Sequence, residues 1–252
     1  MVDFPPLVFI FSFAALTVAA LCGDLLRKRS KSSEEANRDD SGVVLAGTLT
    51  LLGLIIGFSF AMATNRYDLR KSGEQAEANA IAVLYMRADL LPPADAAKVH
   101  ELLKRYINQR IAFYSTRNHG ELNQIASSTS AIQNYLWSTI QALIGPLPPQ
   151  LEGLFISGAN DVVVSRLSTE AVWANRIPRA AWILMLITSV GCNLLVGYRA
   201  RRTEWLVYLI MPIAVSIALF LIFDLDSPRG GAIRVRPNTL VSVSQSLGNS
   251  VN

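Results

Sequence analysis

The sequence predicts an all-α integral membrane protein: four membrane-spanning helices, with a helical polar domain inserted between the second and the third. Three observations predict it. Hydrophobic residues make up 51% of the 252 and charged residues only 17%, whereas soluble domains carry about a quarter charged. Four uncharged stretches, 4–23, 41–64, 180–198 and 205–223, reach or approach the roughly 20 apolar residues that a helix needs to cross a bilayer. Between the second and third of them, apolar residues recur at three- and four-residue spacing, and nothing alternates with period two for long.

The first span is assigned to 4–26. It does not read as a cleaved leader, because Asp3 is the only charge before it and the basic amino-terminal region of a signal peptide is missing. Ala19-Ala-Leu-Cys22 is a poor lipoprotein site, since Leu21 stands where a small residue would be needed. A charged connector, 27–41, leads to the second span, 42–64. The helical extramembrane domain is assigned to 65–179, the third span to 180–198, the fourth to 205–223 and a polar carboxy-terminal tail to 224–252. Charge or polarity closes each span: Asp24-Leu-Leu-Arg-Lys-Arg29, Asn65-Arg66, Arg199-Ala-Arg-Arg202 and Asp224. Tyr198 and Trp205 stand where aromatic residues of the membrane interface are expected.

Within the polar domain, the second span is predicted to continue unbroken through 74–91, with Gly73 as one weak point. Pro92-Pro93 should end it, because proline lacks an amide proton and clashes with the preceding turn. A helix from Asp95 carries Val99, Leu102, Leu103, Tyr106, Ile107, Arg110 and Phe113 as a stripe. Asn118-His-Gly-Glu121 is the next break. A third helix holds Ile125, Ile132, Tyr135, Leu136, Ile140 and Leu143 and stops at Gly145-Pro-Leu-Pro-Pro149. A fourth runs from about 150 to 175 and leads through Pro178 into the third span. Such stripes call for partner helices, so a small bundle is expected.

Much chemistry is excluded. The net charge of +4 is small and scattered, without the concentrated basic face of a nucleic-acid binder. The two cysteines, Cys22 and Cys192, lie in or beside apolar stretches, and His100 and His119 fit no metal spacing, so neither a disulfide framework nor a metal site is indicated. There is no phosphate-cradling glycine loop, nucleophile elbow or HExxH. Carboxylates such as Glu77 and Glu101 read as solvated or salt-bridged. No catalytic residue, cofactor or enzyme activity is expected.

The second span holds the candidate site. Gly53 and Gly57 form GxxxG, a helix-packing spacing that lets backbones approach. Beside them Ala46, Thr50, Leu54, Phe58 and Met62 recur every four residues. Such a stripe faces lipid or neighbouring helices in most proteins. Repeated around a symmetry axis, rings of Leu54 and Phe58 would make a hydrophobic constriction that gates ions by dewetting. Arg66 and Arg70 follow on the same helix, either as interfacial anchors or as an anion-gathering vestibule. An Arg70–Glu74 pair at four-residue spacing would mute Arg70.

The run Leu51-Leu-Gly-Leu-Ile-Ile-Gly-Phe58 with Ala63-Thr-Asn-Arg-Tyr-Asp-Leu-Arg70 resembles the second transmembrane helix of bestrophins, and still more a bacterial bestrophin-like family. The likeness continues through Glu77-Ala-Asn-Ala-Ile81, Tyr85-Met-Arg87 and Leu90-Leu-Pro92. It returns with Leu225-Asp-Ser-Pro-Arg-Gly230 and Ile233-Arg-Val235. It covers about 42 to 240, with little in 119–148. The resemblance implies a bestrophin-like fold, a helical domain continuous with the second span, and a homo-oligomer, the pentamer being its candidate number, around a central pore for small anions. Its neck would match Thr50, Leu54 and Phe58, Thr50 departing from the apolar type. Animal bestrophins clasp calcium with an acidic cluster; Asp224 and Asp226 are too few for an ion that takes six or more oxygens, and are expected to end the fourth helix with Pro228 and Gly230.

Two signals disagree on orientation. The basic connectors, with Arg27, Lys28, Arg29 and Lys31 and then Arg199, Arg201 and Arg202, would be cytoplasmic by the positive-inside rule, placing the polar domain outside. The resemblance places that domain in the cytoplasm. The expected function is a multi-pass inner-membrane anion channel, its partners the lipid bilayer, copies of itself and small anions. The alternative is a membrane sensor, scaffold or transport accessory protein whose helical domain binds a ligand or partner.

Overall fold

The computed structural model describes residues 5–29, 36–199 and 205–249. They form eight helices: α1 (Pro5–Arg29), α2 (Ala36–Ala88), α3 (Pro93–Ser115), α4 (His119–Ile144), α5 (Pro149–Ala174), α6 (Arg179–Arg199), α7 (Trp205–Asp226) and α8 (Asn238–Asn249). The described residues contain no strand. Four helical stretches are long and apolar enough to cross a membrane, within α1, within α2, within the 149–199 stretch and within α7.

The helix ends follow local chemistry. α2 runs 53 residues without interruption and tightens at its end through bonds from Leu90 N to Arg87 O and Leu91 N to Ala88 O, both 3.0 Å, the three-residue pattern common where carbonyls run out of helical partners. α3 starts two residues before Asp95, because Pro93 takes a first-turn position where its missing N–H costs nothing. Asn118 caps α4: its Oδ1 accepts from Gly120 N at 2.9 Å. Pro149 opens α5 as Pro93 opens α3.

The chain divides into two compact units. The first comprises 1–67 and 176–234, and so holds α1, the amino-terminal part of α2, α6 and α7. Leu16, Leu52, Met185, Cys192, Leu219 and Ile222 are among its core residues. α1 and α6 cross with their backbones nearly touching. A Cβ on Gly197 would collide with Ala20 O, and one on Gly23 would meet Leu194 O and stand 2.8 Å from Tyr198 N. Only glycine fits at both positions, the small-residue packing that membrane helices use in place of a hydrophobic driving force.

The second unit comprises 68–175 and 235–252: the rest of α2, then α3, α4, α5 and α8. α3 packs on α4, α4 on α5, and α8 on α3. α8 lies in the segment that the sequence offered only as a polar tail. Leu240, Val243 and Leu247 recur at three and four residues there, and Leu240 and Leu247 are buried, which is the helical spacing of an amphipathic face. Its amino terminus is capped from another helix: Leu240 N donates to Glu74 Oε1 at 2.8 Å, a carboxylate meeting unpaired amides at the positive end of a helix.

Gly197→Val should lower the thermal unfolding midpoint of the detergent-solubilised protein by about 5 °C or more. Gly191→Val, at a position with nothing within 4 Å, should leave it nearly unchanged. Circular dichroism melts of the two variants compare them directly.

Candidate functional site

The apolar part of α2 is unusually uncovered. Of its most apolar 18-residue stretch 11% is buried, against 28% in α1 and 39% in α7. The stripe that is buried holds Leu52, Ser59 and Ala63, spaced seven and four residues apart. At about 100° per residue, Leu54 and Phe58 lie about 100–180° round the helix from these residues, and they are 54% and 66% exposed. Thr50 is exposed on the same stripe. Its hydroxyl donates to Ala46 O at 2.9 Å, so its own helix satisfies it. Gly53 and Gly57 lie beside the stripe, and a Cβ at either would meet nothing within 4 Å. Among the described residues, none packs closely on either glycine.

The two arginines that follow differ. Arg66 Nη1 stands 3.3 Å from Asp226 Oδ1, in a largely buried pair at the end of α7. Asp226 also accepts from Ile177 N at 3.0 Å, and Asp224 accepts from Ala232 N and Ile233 N, both at 2.8 Å. These two carboxylates are thus engaged by peptide amides and a guanidinium, and they fold the segment after α7 back upon its end. Gly231 is required in that turn, where a Cβ would approach Asp224 O to 2.6 Å. Among the described residues, no group of three or more His, Cys, Asp or Glu side chains is placed to hold a metal. Arg70 is 2% exposed. Glu74, one turn on, accepts from Leu240 N of α8 at 2.8 Å.

The second unit contains a charge network that the sequence did not announce. Glu77 of α2 and Arg110 of α3 are each 1% exposed. They form a two-pronged pair, with Arg110 Nε to Glu77 Oε2 at 2.6 Å and Nη2 to Oε1 at 2.9 Å. Tyr114 OH donates to the same carboxylate at 3.1 Å. Arg110 Nη1 reaches Glu170 of α5 at 3.2 Å, and Glu170 is held by Arg166 at 2.8 Å. Arg166 in turn donates to Gln133 at 2.6 Å and Ser130 at 3.0 Å on α4. One chain of charge-assisted bonds therefore joins α2, α3, α4 and α5. Burial by itself would lower the Arg110 pKa; the hydrogen bonds and charge of Glu77 overcome it and hold the guanidinium above its ordinary range. Burial, then the charge of Glu77, raises the Tyr114 phenol. Arg110 and Tyr114 lie one turn apart, and a charged residue within an apolar helical stripe was the available signal for such a pair.

A family model for the bestrophin-like domain matches residues 10–240. The chain belongs to the bestrophin-like family. Its fold is that of solved relatives: substituted forms of a bacterial bestrophin homolog from Klebsiella pneumoniae, one at 13% identity with TM-score 0.70 over 96% of both chains. A second is 14% identical with TM-score 0.71 over 96% of this chain and 98% of that one. A third is 12% identical with TM-score 0.67 over 98% and 99%. Among curated proteins none matches. This bestrophin-like chain is a membrane protein with four apolar helical stretches able to span a bilayer.

Glu77→Gln would leave the Arg110 guanidinium buried without its counter-charge. It should destabilise the folded protein by about 3–5 kcal/mol, read as an earlier denaturation midpoint. The exposed Glu101→Gln should change the midpoint little.

Proposed function

We propose that this protein forms a homo-oligomeric, passive anion pore in the inner membrane, with copies of α2 around its axis and Thr50, Leu54 and Phe58 as the neck. The observation that carries the reading is the uncovered face of α2. A span this apolar must be covered by lipid or by other copies, and its exposed arc combines large apolar residues with the open glycines Gly53 and Gly57. Glycines suit close approach between helices, and a ring of Leu54 and Phe58 suits a dewetting constriction. Family membership supports the same reading through the bestrophin resemblance of this helix.

Arg66 would supply positive potential at the pore mouth, tempered by Asp226 at 3.3 Å. Arg70, buried on the following turn, would add to that potential without meeting the anion. A pentamer is the number that the bestrophin resemblance suggests. The neck has the same lining whichever side of the membrane the helical unit occupies.

Chloride efflux from liposomes carrying the purified protein tests the reading. Efflux above that of empty liposomes is expected, with Phe58→Ala changing its rate several-fold or altering anion preference. Absence of efflux with both proteins, in folded oligomeric preparations, would move the assignment to a membrane sensor, scaffold or transport accessory protein.

A further inference from the structure

The outer surface of the helical unit is chemically one-sided. Between Leu122 and Ala174, across α4 and α5, four residues carry charge: Glu152, Asp161, Arg166 and Glu170. Arg166 and Glu170 are used in the internal network, and Glu152 is half-buried, so Asp161 is the one exposed charge of this stretch. A surface meant for water carries about a quarter to a third charged residues. Depletion of charge, with tyrosine retained, is the compositional mark of a protein interface.

Two complementary features occupy this surface. Between α2 and α5 lies an open groove of about 470 Å³. Small and branched residues, Gly73, Ala76, Ala80, Val164 and Val172, form its floor, and Ser72, Ser168 and Asp161 stand along it as polar groups. On α4, Tyr135 is 62% exposed and stands among exposed Ser128, Ala131, Asn134 and Ser138. No other aromatic side chain described in this unit is exposed. A phenol ring ends in a hydroxyl, so it matches a groove with an apolar floor and hydroxyl or carboxylate groups beside it. Tyrosine flanked by serine and asparagine is also an efficient contact surface, since it buries area at low entropic cost.

We infer that Tyr135 of one copy of this chain seats in the α2–α5 groove of a neighbouring copy. The occupant is a second copy because knob and groove lie on different faces of one chain, and Asp161, the one charged group lining the groove, can accept a hydrogen bond from the phenol hydroxyl. Such a head-to-tail contact closes into a ring when its rotation permits. The inference rests on the oligomeric reading proposed above and specifies which surfaces of the helical unit meet.

Two differently tagged chains, both in a Cys22→Ser, Cys192→Ala background, are co-expressed as full-length protein. One carries Tyr135→Cys and the other Ser168→Cys. The purified membrane-protein complex is treated with a short bis-maleimide, and the same sample is weighed by native mass spectrometry. A covalent dimer bearing both tags is expected, absent when the Ser168→Cys chain is replaced by one carrying Glu101→Cys on α3. Intact oligomers without the mixed-tag dimer would overturn the Tyr135 contact and leave the oligomeric reading standing. Monomers alone, without cross-links, would overturn both.

Discussion

The second unit depends on one buried charge pair, Glu77 with Arg110. Neither group tolerates burial alone, because an isolated ion in a low-dielectric interior costs several kcal/mol. Each therefore dictates the position of the other, and with it the register of α2 against α3. Tyr114 and Glu170 extend the requirement to a second turn of α3 and to α5, and Arg166 carries it to α4. Four helices with apolar stripes could pack in several registers. This chain of bonds selects one of them, by the same logic through which a buried polar residue sets register in a coiled coil.

α2 satisfies different constraints along its length. In the second unit it is held by Glu77, by Glu74 on the amino terminus of α8, and by Arg87, whose Nη1 donates to Leu154 O at 2.7 Å. Gly73 permits Thr169 Oγ1 to approach to 2.8 Å of where a Cβ would stand, which explains a helix former as poor as glycine within an unbroken helix. In the first unit the same helix buries a narrow stripe and presents the rest. A large apolar surface left uncovered by its own chain implies a partner or a lipid contact, and this contrast motivates the pore reading.

The helix boundaries were legible because prolines and an asparagine cap mark them: Pro93, Pro149 and Asn118 give α3, α4 and α5 to within about two residues, the spread between ways of defining a helix end. The four spans were legible from length and charge alone. Three features were not. The α1–α6 crossing depends on Gly23 and Gly197, which lie far apart in sequence and form no spaced motif, whereas Gly53 and Gly57 form the motif and leave open space beside them among the described residues. Glu74 was within reach of Arg70 at helical spacing, yet its carboxylate caps α8, a partner 166 residues away. Glu77 reads in sequence like any surface carboxylate, and only the long-range packing of α3 against α2 makes it a core residue.

Imaging of the detergent-solubilised oligomer by single-particle electron microscopy tests most directly whether α2 is the helix nearest a symmetry axis. The expected result is a closed ring in which Leu54 and Phe58 of every copy point to the axis and form its narrowest point. A ring with α2 on its lipid-facing rim, or no ring at all, would contradict it.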